Sequence, residues 1–78
     1  MRYFTVMEDS INCDIKVESN NDLNTVSKND ILTVASTGEK IKVISFDGKS
    51  LTINKKIASA DNKLLKKGEL LIIKFNKD

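Results

Sequence analysis

A nine-residue pattern of residue types that occurs twice constrains the fold of this chain more than any other feature. The first copy is residues 26–34, Val-Ser-Lys-Asn-Asp-Ile-Leu-Thr-Val. The second copy lies 39 positions later, at residues 65–73, and reads Leu-Lys-Lys-Gly-Glu-Leu-Leu-Ile-Ile. Each copy places a lysine, a turn-forming residue and an acidic residue before a β-rich run, a pattern typical of a tight turn that leads into a strand. Two such turns in so short a chain predict two related half-folds that pack together.

The spacing of apolar residues along the chain predicts an all-β domain. About seven short strands are expected, and the clearest fall near residues 2–8, 11–18, 31–35, 40–46, 51–53 and 69–75. Thr37-Gly38 and Asp47-Gly48 are hairpin signals. With 78 residues the chain has room for one domain only, residues 1–78, which we expect to be a small β barrel or sandwich of two half-repeats.

The segment of residues 55–65 is ambiguous between helix and loop. Its apolar residues recur at helical spacings from Ile57 to Leu64, whereas Asp61-Asn62 favours a loop. The sequence therefore predicts at most a short helix, near residues 57–66.

The apolar faces of the strands form the predicted core. Leu23 and Val26 are expected to anchor the polar segment 19–30 on it, and the unbroken apolar run 70–73 predicts a strand covered on both faces. Cys13 lies on an apolar face, which favours a small buried hydrophobic residue over a reactive thiol. The residues predicted to be mostly buried are Cys13, Ile15, Val17, Leu32, Val34, Ile41, Val43, Leu51, Ile53, Leu71 and Ile73.

The net charge of +2 conceals an uneven distribution. Residues 1–48 carry five basic and eight acidic side chains, a balance of −3, whereas residues 49–78 carry eight lysines and three acids, a balance of +5. A basic half attracts phosphates or acidic proteins, although this density of lysines is also typical of an ordinary solubilising surface.

Other features of the composition indicate a cytoplasmic protein. A single cysteine excludes an intrachain disulfide, and no signal-peptide pattern is found. The longest apolar run, residues 70–73, is far shorter than the ~20 residues of a membrane helix. The chain has one arginine, no proline and no tryptophan, and it is rich in Lys, Asn and Ile. We interpret that bias as an AT-rich coding sequence of a bacterium or a bacterial virus.

A fixed order of turns and strands follows Ile15. Its pieces are the turn 26–30, the strand 31–35, the hairpin Thr37-Gly38, the turn Asp47-Gly48, the strand 51–53, the turn 65–69 and the strand 70–73. This order resembles that of the biotinyl/lipoyl carrier domain, a flattened barrel of two interlocking half-repeats with Val-x-Lys-Gly-Asp and Val-x-x-Gly-(Gln/Glu) turns. The resemblance covers roughly residues 15–75 and implies a carrier-like barrel.

The hairpin departs from the pattern of that family. Carriers present a modifiable lysine at its tip, within Met-Lys-Met or Asp-Lys-Ala, whereas the tip here is Thr37-Gly38 and the nearest lysine is Lys40. If the chain were a carrier, Lys40 would hold the cofactor. The hairpin is about two residues shorter than that of a carrier, which draws Lys40 down the returning strand, and we therefore expect no cofactor.

A second resemblance concerns residues 26–54. Residues 28–34, a hairpin and the run 41–53 are similar to the SH3-like barrels of ribosomal and transcription-elongation proteins, which implies an alternative fold and contact with nucleic acid or protein. The lysines that would serve such a nucleic-acid surface are Lys55, Lys56, Lys66 and Lys67. The four aromatic residues and the single arginine give little means of base stacking or base readout.

The usual catalytic constellations are missing from the sequence. Without histidine there is no Ser-His or Cys-His pair and no imidazole metal ligand, and one cysteine does not make a zinc site. Glu8-Asp9 and Asn20-Asn21-Asp22 suit turns better than a calcium loop. The three glycines are too far apart to cradle a phosphate. We expect a non-enzyme that holds no metal.

These observations favour a small non-catalytic protein-interaction module, such as a viral accessory or inhibitor protein or a degenerate carrier-like domain. The expected partner is a protein, and no membrane association is expected. Two alternatives stay open: a nucleic-acid-associated SH3-like barrel and a biotinyl/lipoyl carrier domain. The sequence does not indicate the oligomeric state.

Overall fold

In the computed structural model, which describes residues 2–61 and 63–73, the chain folds into a closed barrel of antiparallel strands. The six strands of these residues are β1 (Tyr3–Val6), β2 (Asp14–Ser19), β3 (Ile31–Val34), β4 (Lys40–Phe46), β5 (Ser50–Ile53) and β6 (Leu70–Ile73). Around the barrel they follow the order β1-β2-β5-β4-β3-β6, and β6 pairs with β1 to close it. The described residues contain no helix. The prediction of a small all-β barrel is confirmed, and residues 2–61 and 63–73 contain six of the roughly seven strands expected.

The core fills the barrel with the alternate residues that point inward. Ten of the eleven residues predicted to be buried are buried, and Phe4, Val6, Ile57 and Leu65 join them. Cys13 is the exception and is only half-buried. It precedes β2 in a bend at the barrel end, so its side chain packs against the rim of the core rather than inside it.

The two copies of the repeated phrase form the same turn. Asn29 and Gly68 occupy equivalent positions, and both have positive φ, 80° and 96°. The N–H of Asn29 donates to the carbonyl of Val43 (2.8 Å), just as the N–H of Gly68 donates to that of Val6 (2.8 Å). Glycine and asparagine are the residues that adopt this backbone conformation most readily, which explains why a turn former stands at this position in each copy.

The strand registers follow a pseudo-two-fold axis that exchanges residues 2–34 with residues 39–73. β1, β2 and β3 correspond to β4, β5 and β6. The Thr33–Ile72 pair and the Ile15–Leu51 pair lie on the axis, and the neighbouring pairs are related across it. The pairing of β3 with β4 therefore repeats that of β6 with β1. The predicted half-repeat is confirmed: a first half, β1–β3, and a second half, β4–β6, close one barrel.

The predicted strand at residues 11–18 begins late. Ile11 was assigned to its apolar face but is 68% exposed, and β2 starts at Asp14. The Asn12 side-chain oxygen accepts from the N–H of Asp14 (2.9 Å), and the Ser10 hydroxyl donates to the Asp14 carbonyl (3.1 Å). These local bonds bend the chain and keep residues 11–13 out of the strand.

Of the two residues predicted to anchor segment 19–30 on the core, one does so and the other does not. Val26 is buried, as expected, but Leu23 is 71% exposed. The buried residue near it is Asn24, whose Nδ2 donates to the Ser19 hydroxyl (2.6 Å) and to Asn20 Oδ1 (2.9 Å). A polar side chain with partners therefore holds this loop where an apolar one was expected.

Residues 55–65 form a loop wherever the structure describes them, so the optional helix near 57–66 does not form. The N–H of Ser59 donates to the carbonyl of Leu64 (3.0 Å), and Leu65 pairs with Ser10 through two backbone bonds. Asn62 lies outside the described residues, as do Lys74 and Phe75 of the predicted last strand. In β6, Leu71 and Ile73 are buried, but Leu70 and Ile72 are only half-buried. The strand was expected to be covered on both faces, but only its inner face is fully buried.

Candidate protein-binding face

Three neighbouring strands, β3, β6 and β1, present an outer surface without a charged side chain. Its residues, which we call the uncharged face, are Tyr3, Thr5, Ile31, Thr33, Leu70 and Ile72, and all six are half-buried. The register aligns Tyr3, Ile72 and Thr33 in one row across the three strands, with Thr5 and Leu70 side by side in the next. Four of the six side chains are large and apolar or aromatic, so the face is a continuous patch.

The opposite side of the barrel has the usual polar exterior. The outward residues of β2 are Asp14, Lys16 and Glu18, all exposed, and those of β5 are Ser50 and Thr52. An antiparallel sheet that faces water normally carries polar residues outward, as β2 does. The uncharged face is therefore a departure from the pattern that the same barrel follows elsewhere.

Two lysines border the uncharged face on one side only. On β4, Lys40 lies opposite Thr33 and Lys42 opposite Ile31. Both lysines are exposed, and neither makes an ion pair with any residue that the structure describes. The pseudo-two-fold axis relates them to Tyr3 and Thr5 on the other flank. Beyond β1, the neighbouring strand β2 places the exposed Glu18 opposite Thr5. The border along β4 is therefore cationic, and the border along β2 carries a carboxylate.

The acidic residues close to this flank are engaged within the chain. Glu39 forms an ion pair with Lys55 (Oε2···Nζ 2.9 Å), and Glu69 accepts a hydrogen bond from the Ser36 hydroxyl (2.8 Å). Among the residues that the structure describes, Lys40 and Lys42 have no ion-pair partner, so both can meet carboxylates of another protein.

Lys40, the attachment residue that the carrier resemblance implied, lies within a strand. It is the first residue of β4, and the exposed tip of the preceding hairpin is Ser36–Gly38. Its backbone is paired with Thr33 of β3. A residue in this position has less freedom to swing than one at the hairpin tip.

The other predicted lysines lie on the connection between β5 and β6. Lys55, Lys56, Lys66 and Lys67 are all exposed there. Acidic groups are interspersed among them: Glu39 pairs with Lys55, and the Asp9 carboxylate accepts the backbone N–H of Lys67 (2.7 Å). The four lysines thus share one connection, and a carboxylate contacts Lys55 and another contacts Lys67.

The acidic and amide side chains of the loops mostly hold turns. Asp47 accepts hydrogen bonds from the N–H groups of Lys49 (3.0 Å) and Ser50 (2.7 Å), and these bonds to the charged form lower the pKa of the Asp47 carboxyl. Asn21 accepts from the N–H of Leu23 (2.7 Å). Within residues 2–61 and 63–73, no three Cys, Asp or Glu side chains converge in a way that suits a metal ion.

A surface groove of about 530 Å³ lies along β2, and Met7 and Lys49 are among the residues that line it. Glu18 and Lys16 both line it, so the groove carries charges of both signs. This mixture does not define a ligand class, in contrast to the uniform chemistry of the uncharged face.

No helix in the described part of the chain is long and apolar enough to cross a bilayer. Comparison of the chain with protein-family models, with curated proteins and with solved structures gives no significant match. The interpretation of the site therefore depends on its own geometry.

Proposed function

We propose that this barrel is a non-catalytic protein-interaction module and that the uncharged face is its docking surface. Every described strand has a neighbour on each side, so the barrel offers no free edge to which a partner could add a strand. A partner must instead be recognised by outward side chains. The observation that carries the proposal is the continuous patch of six uncharged side chains on three adjacent strands.

The composition of the patch suits an interface with another protein. Apolar side chains around Ile72 would form the dry centre, Tyr3 supplies an aromatic group, and lysines stand at the rim. Contiguous apolar patches rimmed by polar residues commonly mark sites of interaction on soluble proteins. Because Lys40 and Lys42 occupy one flank, the matching partner has an apolar centre and carboxylates on the side that meets β4.

The proposal predicts that a charge at the centre of the face abolishes partner capture. Tagged wild-type protein and the Ile72→Asp variant would be cross-linked in cells that express the protein, and the captured proteins compared by mass spectrometry. Ser50→Asp is the matched control, because Ser50 is also half-buried and outward-facing but lies on β5, opposite Lys16. We expect wild-type and Ser50→Asp to capture the same partner and Ile72→Asp to lose it at least tenfold. Equal capture by Ile72→Asp, with its fold intact by circular dichroism, would contradict the assignment of the face.

The classes of module named above, a viral accessory or inhibitor protein and a degenerate carrier-like domain, both agree with this proposal. If the chain is a degenerate carrier-like domain, the position of Lys40 within β4 supports the loss of cofactor attachment. Lys40 would then contact the partner protein at the rim of the uncharged face. An active carrier domain is the least favoured alternative for the same reason.

Nucleic-acid binding is the second candidate, and the exposure of Lys55, Lys56, Lys66 and Lys67 on one connection favours it. We expect only weak binding, because Glu39 and Asp9 lie among these lysines. Fluorescence anisotropy with a labelled duplex DNA at several salt concentrations tests this. A phosphate-binding surface would give a log–log salt slope of about −0.9 per phosphate contact. Micromolar binding near physiological salt, abolished when the four lysines are replaced by glutamine, would make this candidate the better one.

A further inference from the structure

The two halves of the barrel depend on each other for most of their strand pairing. Within the first half only β1 and β2 pair, and within the second half only β4 and β5 pair. The other four of the six pairings, β1–β6, β2–β5, β3–β4 and β3–β6, join one half to the other. Both neighbours of β3 belong to the second half, and both neighbours of β6 belong to the first. Neither half can close a barrel alone.

The covalent link between the halves is the short hairpin Ala35–Glu39. Its first four residues are exposed, and its turn depends on Gly38, whose φ is +77°. The N–H of Gly38 donates to the carbonyl of Val34 (2.7 Å), and the N–H of Val34 donates to that of Glu39 (2.8 Å). Fully extended, these five residues span about 17 Å, enough to connect two adjacent barrels.

We propose that this hairpin is a hinge and that two copies of the chain exchange halves. Each half then pairs with the complementary half of the other copy. In the resulting half-exchanged dimer, each barrel contains β1–β3 of one copy and β4–β6 of the other. All six pairings, and the core that they enclose, are retained in both barrels. Only the hairpin changes conformation, so the two forms differ little in enthalpy, and exchange of an identical element is a low-cost route to a dimer.

The register at the hinge permits a continuous ribbon in such a dimer. In the monomer Thr33 lies opposite Lys40, and Val34 bonds to Glu39. If residues 36–38 were absent, Ala35 would join Glu39 directly, and β3 and β4 would become one long strand. Two such strands from two copies pair antiparallel with Thr33 opposite Lys40 of the other chain, and with the two Ala35 residues facing each other on the dimer axis.

Shortening the hairpin provides the test. Deletion of residues 36–38 leaves one residue between Val34 and Glu39, and a β-hairpin needs a loop of about two. We expect this variant to have twice the monomer mass by sedimentation equilibrium, with a β-rich circular dichroism spectrum. The matched control keeps the length of the hairpin and replaces Ser36 and Thr37 by glycine, and it should stay monomeric under conditions in which wild-type is monomeric.

A second variant keeps the full length of the chain. In Gly38→Val, a Cβ at position 38 would meet no atom within 4 Å, and the penalty that we expect is the positive φ, which an extended connection does not require. After refolding at high protein concentration, it should give a larger dimer fraction than wild-type.

Disulfide capture distinguishes exchange from simple association. Chains that carry Thr33→Cys and chains that carry Lys40→Cys, each with Cys13→Ser and the 36–38 deletion, would be refolded together and oxidised. The half-exchanged dimer places the two new thiols opposite each other on different chains, so a covalent dimer should form. If the deletion variant and Gly38→Val are both monomeric or unfolded, or if no disulfide joins residues 33 and 40 of different chains, the proposal is wrong. The outcome does not depend on whether the uncharged face binds a protein.

Discussion

Replacement of Leu71 by alanine is expected to lower the free energy of unfolding by about 2–5 kcal/mol, the usual cost of truncating a fully buried leucine. Leu71 has no exposed surface, and it lies on β6 between Val34 of β3 and Phe4 of β1. The substitution would leave a cavity between the three strands that close the barrel, β1, β6 and β3. For a chain of 78 residues, total stability is about 4–12 kcal/mol, so the loss would be a large part of it.

Urea denaturation followed by circular dichroism measures this effect, and Ile72→Ala is the matched control. Ile72 is the neighbour of Leu71 on the same strand, but it points outward and is half-buried. Its truncation should cost less than half as much, because solvent can fill the space that it leaves. Equal losses for the two variants would show that the inner and outer faces of β6 had been misassigned.

Replacement of Gly68 by valine is expected to cost about 1–3 kcal/mol through backbone strain alone. The φ of Gly68 is +96°, and an added Cβ would meet no atom within 4 Å, so overlap of that Cβ with neighbouring residues adds nothing to the strain. The bond from its N–H to the Val6 carbonyl fixes the turn that leads into β6. A β-branched residue must either adopt positive φ or break that bond.

The equivalent turn supplies the control for this prediction. Asn29 adopts a φ of 80° at the position that corresponds to Gly68, so asparagine is compatible with the turn. We expect Gly68→Asn to remain within ~1 kcal/mol of wild-type. Thermal melts of Gly68→Asn and Gly68→Val would be compared. If the asparagine variant were destabilised as much as the valine variant, the two turns would not be equivalent.

The fold was largely predictable because its main signals are local and repeated. The turn former at positions 29 and 68, each followed by an acid and a β-rich run, was sufficient to predict two equivalent half-folds. Period-two alternation then identified the inward residues of β2 and β4 correctly. These signals survive in the structure because burial and turn geometry act on the same residues.

The errors have a common physical cause, which is competition from side-chain hydrogen bonds within loops. Ile11 and Leu23 are apolar residues at plausible core positions, yet Asn12 and Asn21 accept backbone hydrogen bonds next to them and turn the chain outward. Alternation alone does not reveal which of the two effects is stronger.

The uncharged face was not predicted because its residues lie far apart in the sequence. The run 70–73 was interpreted as a strand covered on both faces, although the outward residues Leu70 and Ile72 are half-buried. Only the register of β6 between β1 and β3 brings Ile72 beside Tyr3 and Thr33. The available signal was an apolar residue at positions 31, 70 and 72, where an exposed antiparallel strand would carry a polar one.

The pairing of β1 with β6 also determines when the chain can fold. Thr5 lies opposite Leu70, so the contact that closes the barrel joins residues 65 positions apart. Contacts of such long range slow folding, and small all-β domains typically require milliseconds to seconds. During synthesis β1 and β2 can pair with each other early, but β1 has no partner on its other edge until β6, which ends at residue 73, has left the ribosome. The barrel therefore forms in one late step rather than strand by strand as the chain emerges.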